Sequence, residues 1–352
     1  MAVMGVAILL GFSLIMAMNT IKPSYGAMTS RRSMAKIWRI NKDGPYLGIV
    51  VPNAFEMNPL LNSSTFVQDS NLTYLDFGGR RFRFGKIKSE KVIIVMTGLG
   101  MLNAGISTQL LISLFKLKGV VHFGVAGNAN PNLQIGDVTI PNYWGHTGLW
   151  NWQRYGDGEN DELALEASGD YTREIGFLKF SNYNNLSKKN GKELDNYLNR
   201  VWYQPEEVFP VDGVPEVRQH ALWVPVDTHY HNLSKKLEDL VLENCANTTN
   251  CLERKPKVVW VERGCSANTF VDNAAYREYL RSKFNVSPVD METAAVALVS
   301  LQQRTPFIAF RSLSDLAGGG SALSNEASVY ASLAAQNAVT AAIQFISLLS
   351  SS

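Results

Sequence analysis

The sequence has few cysteines, little net charge and no internal repeat. Three cysteines among 352 residues are too few for a disulfide-rich scaffold. The 33 lysines and arginines nearly balance the 31 aspartates and glutamates, and a net charge of +2 argues against nucleic acid as a partner, because that needs an extended basic surface. With 46% hydrophobic residues the chain is too apolar to be disordered. These features leave an ordinary globular protein that handles a small ligand.

Two cofactor-binding motifs are also missing. The turn Thr97-Gly98-Leu99-Gly100 is not a dinucleotide fingerprint, because GxGxxG is absent and no acidic residue follows about 20 positions later. The sequence has no P-loop for a nucleoside triphosphate either. We therefore expect no cofactor and no bound metal ion.

The N-terminus is typical of a secretory signal peptide that covers residues 1–26. Its apolar run Val6–Met18 has about 13 residues, whereas a membrane helix needs about 20. Small residues around Ser24–Ala27 match the cleavage zone of such a peptide. An uncleaved anchor or a buried helix is the alternative, because no Lys or Arg precedes the run. Residues 27–46 are expected to form a separate N-terminal segment.

Glycosylation sequons and two cysteines agree with a secretory route. The N-x-S/T sequons lie at Asn62, Asn71, Asn185, Asn232, Asn247 and Asn285. Cys245 and Cys251 flank a polar pentapeptide and predict a short disulfide loop, which leaves Cys265 as a buried thiol. We expect an extracellular or vacuolar protein that has no membrane contact once the signal peptide is removed.

Short apolar runs rich in β-branched residues alternate with longer helical patterns. The predicted strands are Leu47–Val51, Arg81–Phe84, Val92–Thr97, Val120–Val125, Val138–Ile140, Val258–Val261, Val286–Val289 and Phe307–Arg311. The predicted helices are Asn103–Lys116, Asn273–Ser282, Met291–Gln303 and Glu326–Leu349. This alternation predicts an α/β fold, a single domain with a central mixed, mostly parallel twisted sheet flanked by helices. The domain would cover residues 47–350, with an insertion at about 144–224 where the alternation stops.

Glycine turns and acidic residues follow several predicted strands. Ligands of open parallel sheets bind outside the carboxyl ends of the strands, so these turns mark one candidate rim. Glu292 would lie in the first turn of a helix, where an acid also stabilises the helix without any function. The segment from Arg311 to Asp315 places a basic, a hydroxyl and an acidic side chain after a buried strand. A turn or a helix cap is the alternative interpretation of that segment.

Five segments, in this order, resemble the nucleoside phosphorylase/nucleosidase superfamily. They are GIVVPNAFE, TGLGMLNAG, FGVAGNANPNLQIGDVTIP, VDMETAA and FRSLSDLAG. The leader and the insertion resemble its plant branch of bark and vegetative storage proteins and cytokinin-riboside phosphorylases. The resemblance covers about residues 47–141 and 258–349. It implies cleavage of the C1′–N bond of a nucleoside by phosphate or by water, in a homo-oligomer.

The resemblance also implies roles for individual residues. Glu292 would accept hydrogen bonds from the ribose 2′- and 3′-hydroxyls, while Met291 would line the sugar. Asp315 would protonate the departing purine, with Ser314 fixing its geometry. Arg311 is placed with the substrate-binding residues, and its pairing with Asp315 would lower the pKa of that acid.

The remaining carried-over residues surround the base and the nucleophile. Phe270 would stack on the base, where a core phenylalanine is the alternative, and Val271 would add a backbone contact. Glu56 matches the carboxylate that orients water in nucleosidases, with an exposed loop acid as its alternative. The substrate-binding set also includes Thr97, Gly98 and Gly127.

The sequence departs from the phosphorylases where they hold phosphate. His122 stands at the position of a phosphate-binding arginine, and the first glycine-loop segment, VPNAFEMN, has no arginine. A neighbouring subunit could lend an arginine from the 80–83 segment. The expected reaction is phosphorolysis of purine-type nucleosides, including cytokinin ribosides, with phosphate as co-substrate. The alternatives are a hydrolytic nucleosidase, a storage protein with little or no activity, and a nucleoside-binding receptor.

Overall fold

The computed structural model describes residues 26–152, 177–179, 188–189, 192–193, 200–209, 211–214, 217, 219–319 and 326–351. Nearly all of the predicted signal peptide, much of the predicted insertion and Asn185 lie outside the described residues. The chain divides into two compact units, Met1–Gly44 and Pro45–Ser352. Within the first unit, helix α1 spans Gly26–Lys42 and covers most of the predicted N-terminal segment.

The second unit alternates strands with helices. Its main strands are β1 (Tyr46–Val51), β2 (Phe66–Gln68), β3 (Tyr74–Phe77), β4 (Arg80–Ile87), β5 (Glu90–Met96), β6 (Leu117–Asn128), β7 (Val138–His146), β15 (Trp223–Pro225), β16 (Val258–Ser266), β17 (Val286–Asp290) and β18 (Phe307–Leu316). Its helices are α2 (Ala54–Leu61), α3 (Met101–Leu114), α4 (Thr228–Ser234), α5 (Ala274–Phe284), α6 (Thr293–Gln302) and α7 (Ala327–Leu349). Between β7 and β15 the short strands are β8 (Trp150–Trp152), β9 (Phe177–Lys179), β10 (Lys188–Lys189), β11 (Lys192–Glu193), β12 (Arg200–Tyr203), β13 (Glu206–Val208) and β14 (Gln219–Ala221).

Eleven strands form one mixed sheet of order β15-β7-β16-β17-β6-β1-β5-β4-β2, in which β18 pairs with β6 and β7, and β3 pairs with β4. The central pairs β1 with β5, β1 with β6, and β6 with β18 are parallel, whereas the β2–β5 edge is antiparallel. Because β18 also pairs with β7, the strands β7, β16, β17, β6 and β18 close into a ring. The predicted α/β fold with a mixed sheet flanked by helices is confirmed.

Continuous burial explains why these runs form central strands. Every residue of β1 is buried, and so is every residue of β18 except the last, as expected for strands covered by helices on both faces. Helix α7 packs on β18 and β6, and its Phe345 is fully buried against the rings of Tyr230 and Phe310, 5.6 and 5.2 Å away. By length and composition α7 could span a membrane, but 61% of its most apolar stretch is buried inside the protein.

Strand β7 runs further than its predicted end at Ile140. It continues to His146, and β15 pairs with it, so the main sheet enters the predicted insertion range at both ends. Trp144 is fully buried in this strand. A side chain at Gly264 would lie 2.7 Å from the Trp144 ring, so glycine makes room for it. The hydrophobic pattern did not predict this continuation, because the second half of β7 contains polar residues.

The cysteines and the sequons can also be placed. Cys245 and Cys251 form a disulfide, while burial raises the pKa of the remaining thiol, Cys265, to about 12. The sequon asparagines in the described residues are exposed at positions 62, 71, 232, 247 and 285. In the last of these sequons the hydroxyl residue, Ser287, is buried, which limits access to Asn285 in the folded protein.

Truncating Phe345 tests the packing of α7 on the sheet. Phe345→Ala is expected to lower the free energy of unfolding by about 3–5 kcal/mol, because it leaves a cavity in the core. Val329→Ala, at a position 42% exposed on the same helix, is the matched control and should cost less than about 0.5 kcal/mol. Urea unfolding measures both variants. Equal losses would contradict the buried position of Phe345.

Candidate active site

A cavity of about 210 Å³ lies beside the carboxyl ends of six strands. Its lining comes from the residues that follow β1, β5 and β16 and from the last residues of β6, β17 and β18. The first turns of α7 complete it. Ligands of α/β proteins bind at this edge of the sheet. The cavity is therefore the candidate active site.

Most of the residues predicted to contact a ligand meet at this cavity. Those that line it are Glu56, Gly127, Phe270, Val271, Met291, Glu292, Ser314 and Asp315. Thr97 and Gly98 instead line a neighbouring groove of about 620 Å³, together with Arg80, Arg81 and Arg83. Arg311 does not line the cavity, because its side chain is fully buried. The contacts of these three residues with a substrate stay predictions.

Glu56 is a buried carboxylate and not an exposed loop acid. It lies in the first turn of α2 and is only 2% exposed. The side chain of Asn53, which caps this helix, donates to Glu56 Oε2 at 2.7 Å, and the backbone N–H of Val125 donates to Oε1 at 2.7 Å. Burial raises the pKa of Glu56 to about 7, although Arg311 and the Val125 N–H oppose the rise. A carboxyl group with this pKa can exchange a proton near neutral pH.

Arg311 lies beneath the cavity and contacts three acidic side chains. Its Nε is 2.7 Å from Asp290 Oδ2, while Nη1 and Nη2 lie 3.6 and 3.7 Å from the nearest oxygens of Glu56 and Glu292. No ion pair joins Arg311 to Asp315 among the described residues, so it does not lower the pKa of that acid as the sequence allowed. Arg311 therefore contacts the buried sides of these carboxylates.

His122, at the position of the phosphate-binding arginine, is uncharged. Its Nε2 lies 2.5 Å from Arg311 Nη2, and since arginine can only donate, Nε2 must accept. Its Nδ1 therefore carries the hydrogen and donates to Val50 O at 2.8 Å. Burial and the charge of Arg311 hold the pKa of His122 well below its usual range. Among the described residues that line the cavity, none is Lys, Arg or His.

Glu292 and Asp290 flank the start of α6. Glu292 is the N-cap residue, because α6 begins two residues after the predicted start at Met291, and its Oε1 accepts from Gly100 N at 2.8 Å. Burial raises its pKa. Asp290 Oδ1 accepts from the backbone N–H of Glu292 and of Thr293, and from Ser266 Oγ at 2.5 Å. In the sequence, only the position of Asp290, three residues before the backbone N–H of Thr293, indicated that it could accept these hydrogen bonds.

A β-bulge turns Ser314 and Asp315 toward the same cavity. The pairing of β18 with β6 shifts between Leu313 and Asp315, so Ser314 has no partner in the register. Without such a shift, consecutive strand residues would point to opposite faces. Ser314 Oγ donates to Asp315 Oδ1 at 2.5 Å. Burial raises the pKa of Asp315, and the nearby carboxylates Glu326 and Asp272 raise it further, which favours the protonated acid.

Apolar side chains form the rest of the lining. Phe270 is 62% exposed at the cavity, so it is not the core phenylalanine that the sequence left as an alternative. Leu99, Val271 and Met291 also line the cavity. Asn268, which the sequence reasoning missed, accepts from Met101 N at 2.8 Å at the start of α3. The site thus joins an apolar wall to three carboxyl side chains with raised pKa values, Glu56, Asp315 and Glu292.

Comparison with known proteins agrees with this geometry. A family model described as the phosphorylase superfamily matches residues 46–347. Bark storage protein A of Populus deltoides is 31% identical over 302 residues, which cover 85% of this chain and 88% of that protein. A 5′-methylthioadenosine/S-adenosylhomocysteine nucleosidase of Listeria monocytogenes is 25% identical over 302 residues, covering 85% and 98%. The futalosine hydrolase structure of Helicobacter pylori has a TM-score of 0.57 at 18% identity, covering 86% and 97%, and shows the fold alone.

Removing the charge of Glu56 should stabilise the protein at alkaline pH. Its pKa rises from 4.5 to about 7 on folding, so the folded protein holds this proton more tightly than the unfolded chain does. The stability of the wild type therefore falls as pH rises from about 4.5 to 7, and the loss is complete above 7. Glu56→Gln still accepts from Val125 N and should be about 2 kcal/mol more stable at pH 8, with little difference at pH 4.5.

Thermal unfolding at the two pH values measures this difference. Glu253→Gln, the same substitution at an exposed position, is the control and should show no such pH dependence. A Glu56→Gln variant that is less stable than the wild type at pH 8 would contradict the buried, proton-binding state of Glu56.

Proposed function

The chain belongs to the phosphorylase superfamily, and on that premise we propose that it hydrolyses the N-glycosidic bond of purine-type nucleosides. The observation that carries this proposal is the position of Glu56. Its carboxylate is held at the cavity by Asn53 and the Val125 N–H, with a pKa of about 7. A base of this pKa can take a proton from water at neutral pH.

The sugar would bind at Glu292. One oxygen of this carboxylate accepts from Gly100 N and keeps a second lone pair, while the other oxygen lies 3.7 Å from Arg311. Both can accept from ribose hydroxyls, so the ring is held with C1′ near Glu56. The base would stack on Phe270, whose exposed ring lines the cavity.

Bond cleavage would combine an acid and a base. Asp315 gives its proton to the purine as the C1′–N bond breaks, and the bonding electrons leave with the base. The positive charge that develops on the ribose lies close to the carboxylates of Glu56 and Glu292, which stabilise it. Water then attacks C1′ and passes a proton to Glu56, giving free base and ribose.

The charges around Arg311 argue for water over phosphate as the nucleophile. Three acidic side chains, Glu56, Asp290 and Glu292, surround one buried guanidinium, and the neighbouring His122 is neutral. A phosphate dianion would face this acidic set without an arginine of its own. For this reason we propose hydrolysis in place of the phosphorolysis expected from the sequence, with cytokinin ribosides among the candidate substrates.

Storage is the second candidate function, favoured by the 31% identity to a bark storage protein. The disulfide and the exposed sequon asparagines support a secretory or vacuolar location for either function. Exposed apolar side chains beside the cavity, Leu99 and Leu102, support the predicted homo-oligomer. Both the location and the oligomer stay predictions.

Base release separates these functions. Purified protein is assayed on adenosine, inosine and isopentenyladenosine, with and without phosphate. We expect release from at least one nucleoside at a rate that phosphate does not change. Asp315→Asn should lower kcat about 100-fold, because it removes the proton donor. Asp212→Asn, the same change at an exposed site, should leave kcat unaltered.

Three other results would each contradict part of the proposed function. A rate that requires phosphate would reject hydrolysis in favour of phosphorolysis. No release from any nucleoside under either condition would favour storage. A near wild-type rate for Asp315→Asn would reject the acid role.

A further inference from the structure

The loop that follows Asp315 is fixed in a tight conformation. Gly318 and Gly319 have φ values of +94° and +70°, which favour glycine. A side chain at Gly318 would lie 2.5 Å from Ala274 N and 2.6 Å from the carbonyl carbon of Asn273. Only glycine allows the loop to approach the start of α5 this closely.

Arg277 joins the same loop to α5 through its side chain. From the first turn of the helix, Nη1 donates to the carbonyl oxygens of Ala317 and Gly319 at 3.2 and 3.1 Å. Ala317 is fully buried, and its N–H donates to Asn128 O at 3.1 Å. Hydrogen bonds therefore hold the backbone just beyond Asp315 both to the sheet and to α5.

The other end of this connection is the wall that receives the base. Phe270 and Val271 line the cavity, and α5 begins three residues after Val271. Asn273 caps the helix by accepting from Tyr276 N at 2.9 Å. The first turn of α5 therefore connects the Phe270 segment to the loop that follows Asp315.

We infer that Arg277 is a positioning residue that sets the acid Asp315 against the base held by Phe270. The inference rests on the proposed function. Proton transfer requires the donor and the acceptor to lie within hydrogen-bond distance, and a displacement of about 1 Å can cost about 100-fold in rate. Loss of Arg277 frees two carbonyl groups and lets the loop shift, while Glu56 and Glu292 keep their own partners.

Leaving-group dependence tests this role. Arg277→Met is compared with the wild type on a purine nucleoside, which needs a proton from Asp315, and on 4-nitrophenyl β-D-ribofuranoside, whose phenolate departs without one. We expect kcat to fall about 10- to 100-fold for the nucleoside and less than about 2-fold for the nitrophenyl riboside. Arg277→Lys should recover part of the loss, because an ammonium can still donate to these carbonyls.

Arg281 provides the matched control on the same helix. It donates to the carbonyl oxygens of Asn285 and Val286 and not to the loop that follows Asp315. Arg281→Met should therefore not change the ratio of the nucleoside rate to the nitrophenyl riboside rate. If Arg277→Met does not fold, Gly318→Ala replaces it, since its methyl group would push the loop off α5 and should give the same selective loss.

The contrary outcomes are distinct. Equal losses on both substrates, or no loss on either, would overturn the positioning role while leaving hydrolysis intact. A wild-type protein that releases no base would overturn the proposed function, and this inference with it.

Discussion

The buried guanidinium of Arg311 organises the whole site. It lies within 3.7 Å of Asp290, Glu56 and Glu292, and it donates to Thr293 Oγ1 and to Val125 O. Burying charges without partners is strongly unfavourable, and the opposite charges of these groups offset part of that cost. The backbone had to make room for them, because a side chain at Gly124 would lie 2.1 Å from Arg311 Nη1 and 2.4 Å from Glu56 Oε1.

The fold brings these groups to the place where chemistry can occur. Parallel strands end side by side at the cavity, and a bulge in β18 turns two consecutive residues, Ser314 and Asp315, toward it. The charged neighbours of two acidic side chains differ. Glu56 lies near the positive charge of Arg311, whereas Asp315 lies near the carboxylates of Glu326 and Asp272. In the proposed function, Glu56 is the base and Asp315 is the acid.

Much of this was predictable from sequence, for identifiable reasons. Continuous apolar strands predicted the α/β sheet, and local motifs led to Glu56, Glu292 and Asp315, which line the cavity. Contacts between distant residues were not predictable: Val125 is 69 residues from Glu56, and His122 is 189 from Arg311. Hence the sequence placed Arg311 with the substrate and could not reveal that His122 is neutral. Nor does a strand pattern reveal a bulge or the packing of Gly318 on α5.

Because three acidic side chains already surround the charge of Arg311, we propose that water and not phosphate is the nucleophile. The most direct measurement is the mass of the sugar released from a cleaved nucleoside in buffers of increasing phosphate concentration. We predict free ribose, with no ribose 1-phosphate, at every phosphate concentration. Ribose 1-phosphate as the product would contradict this proposal.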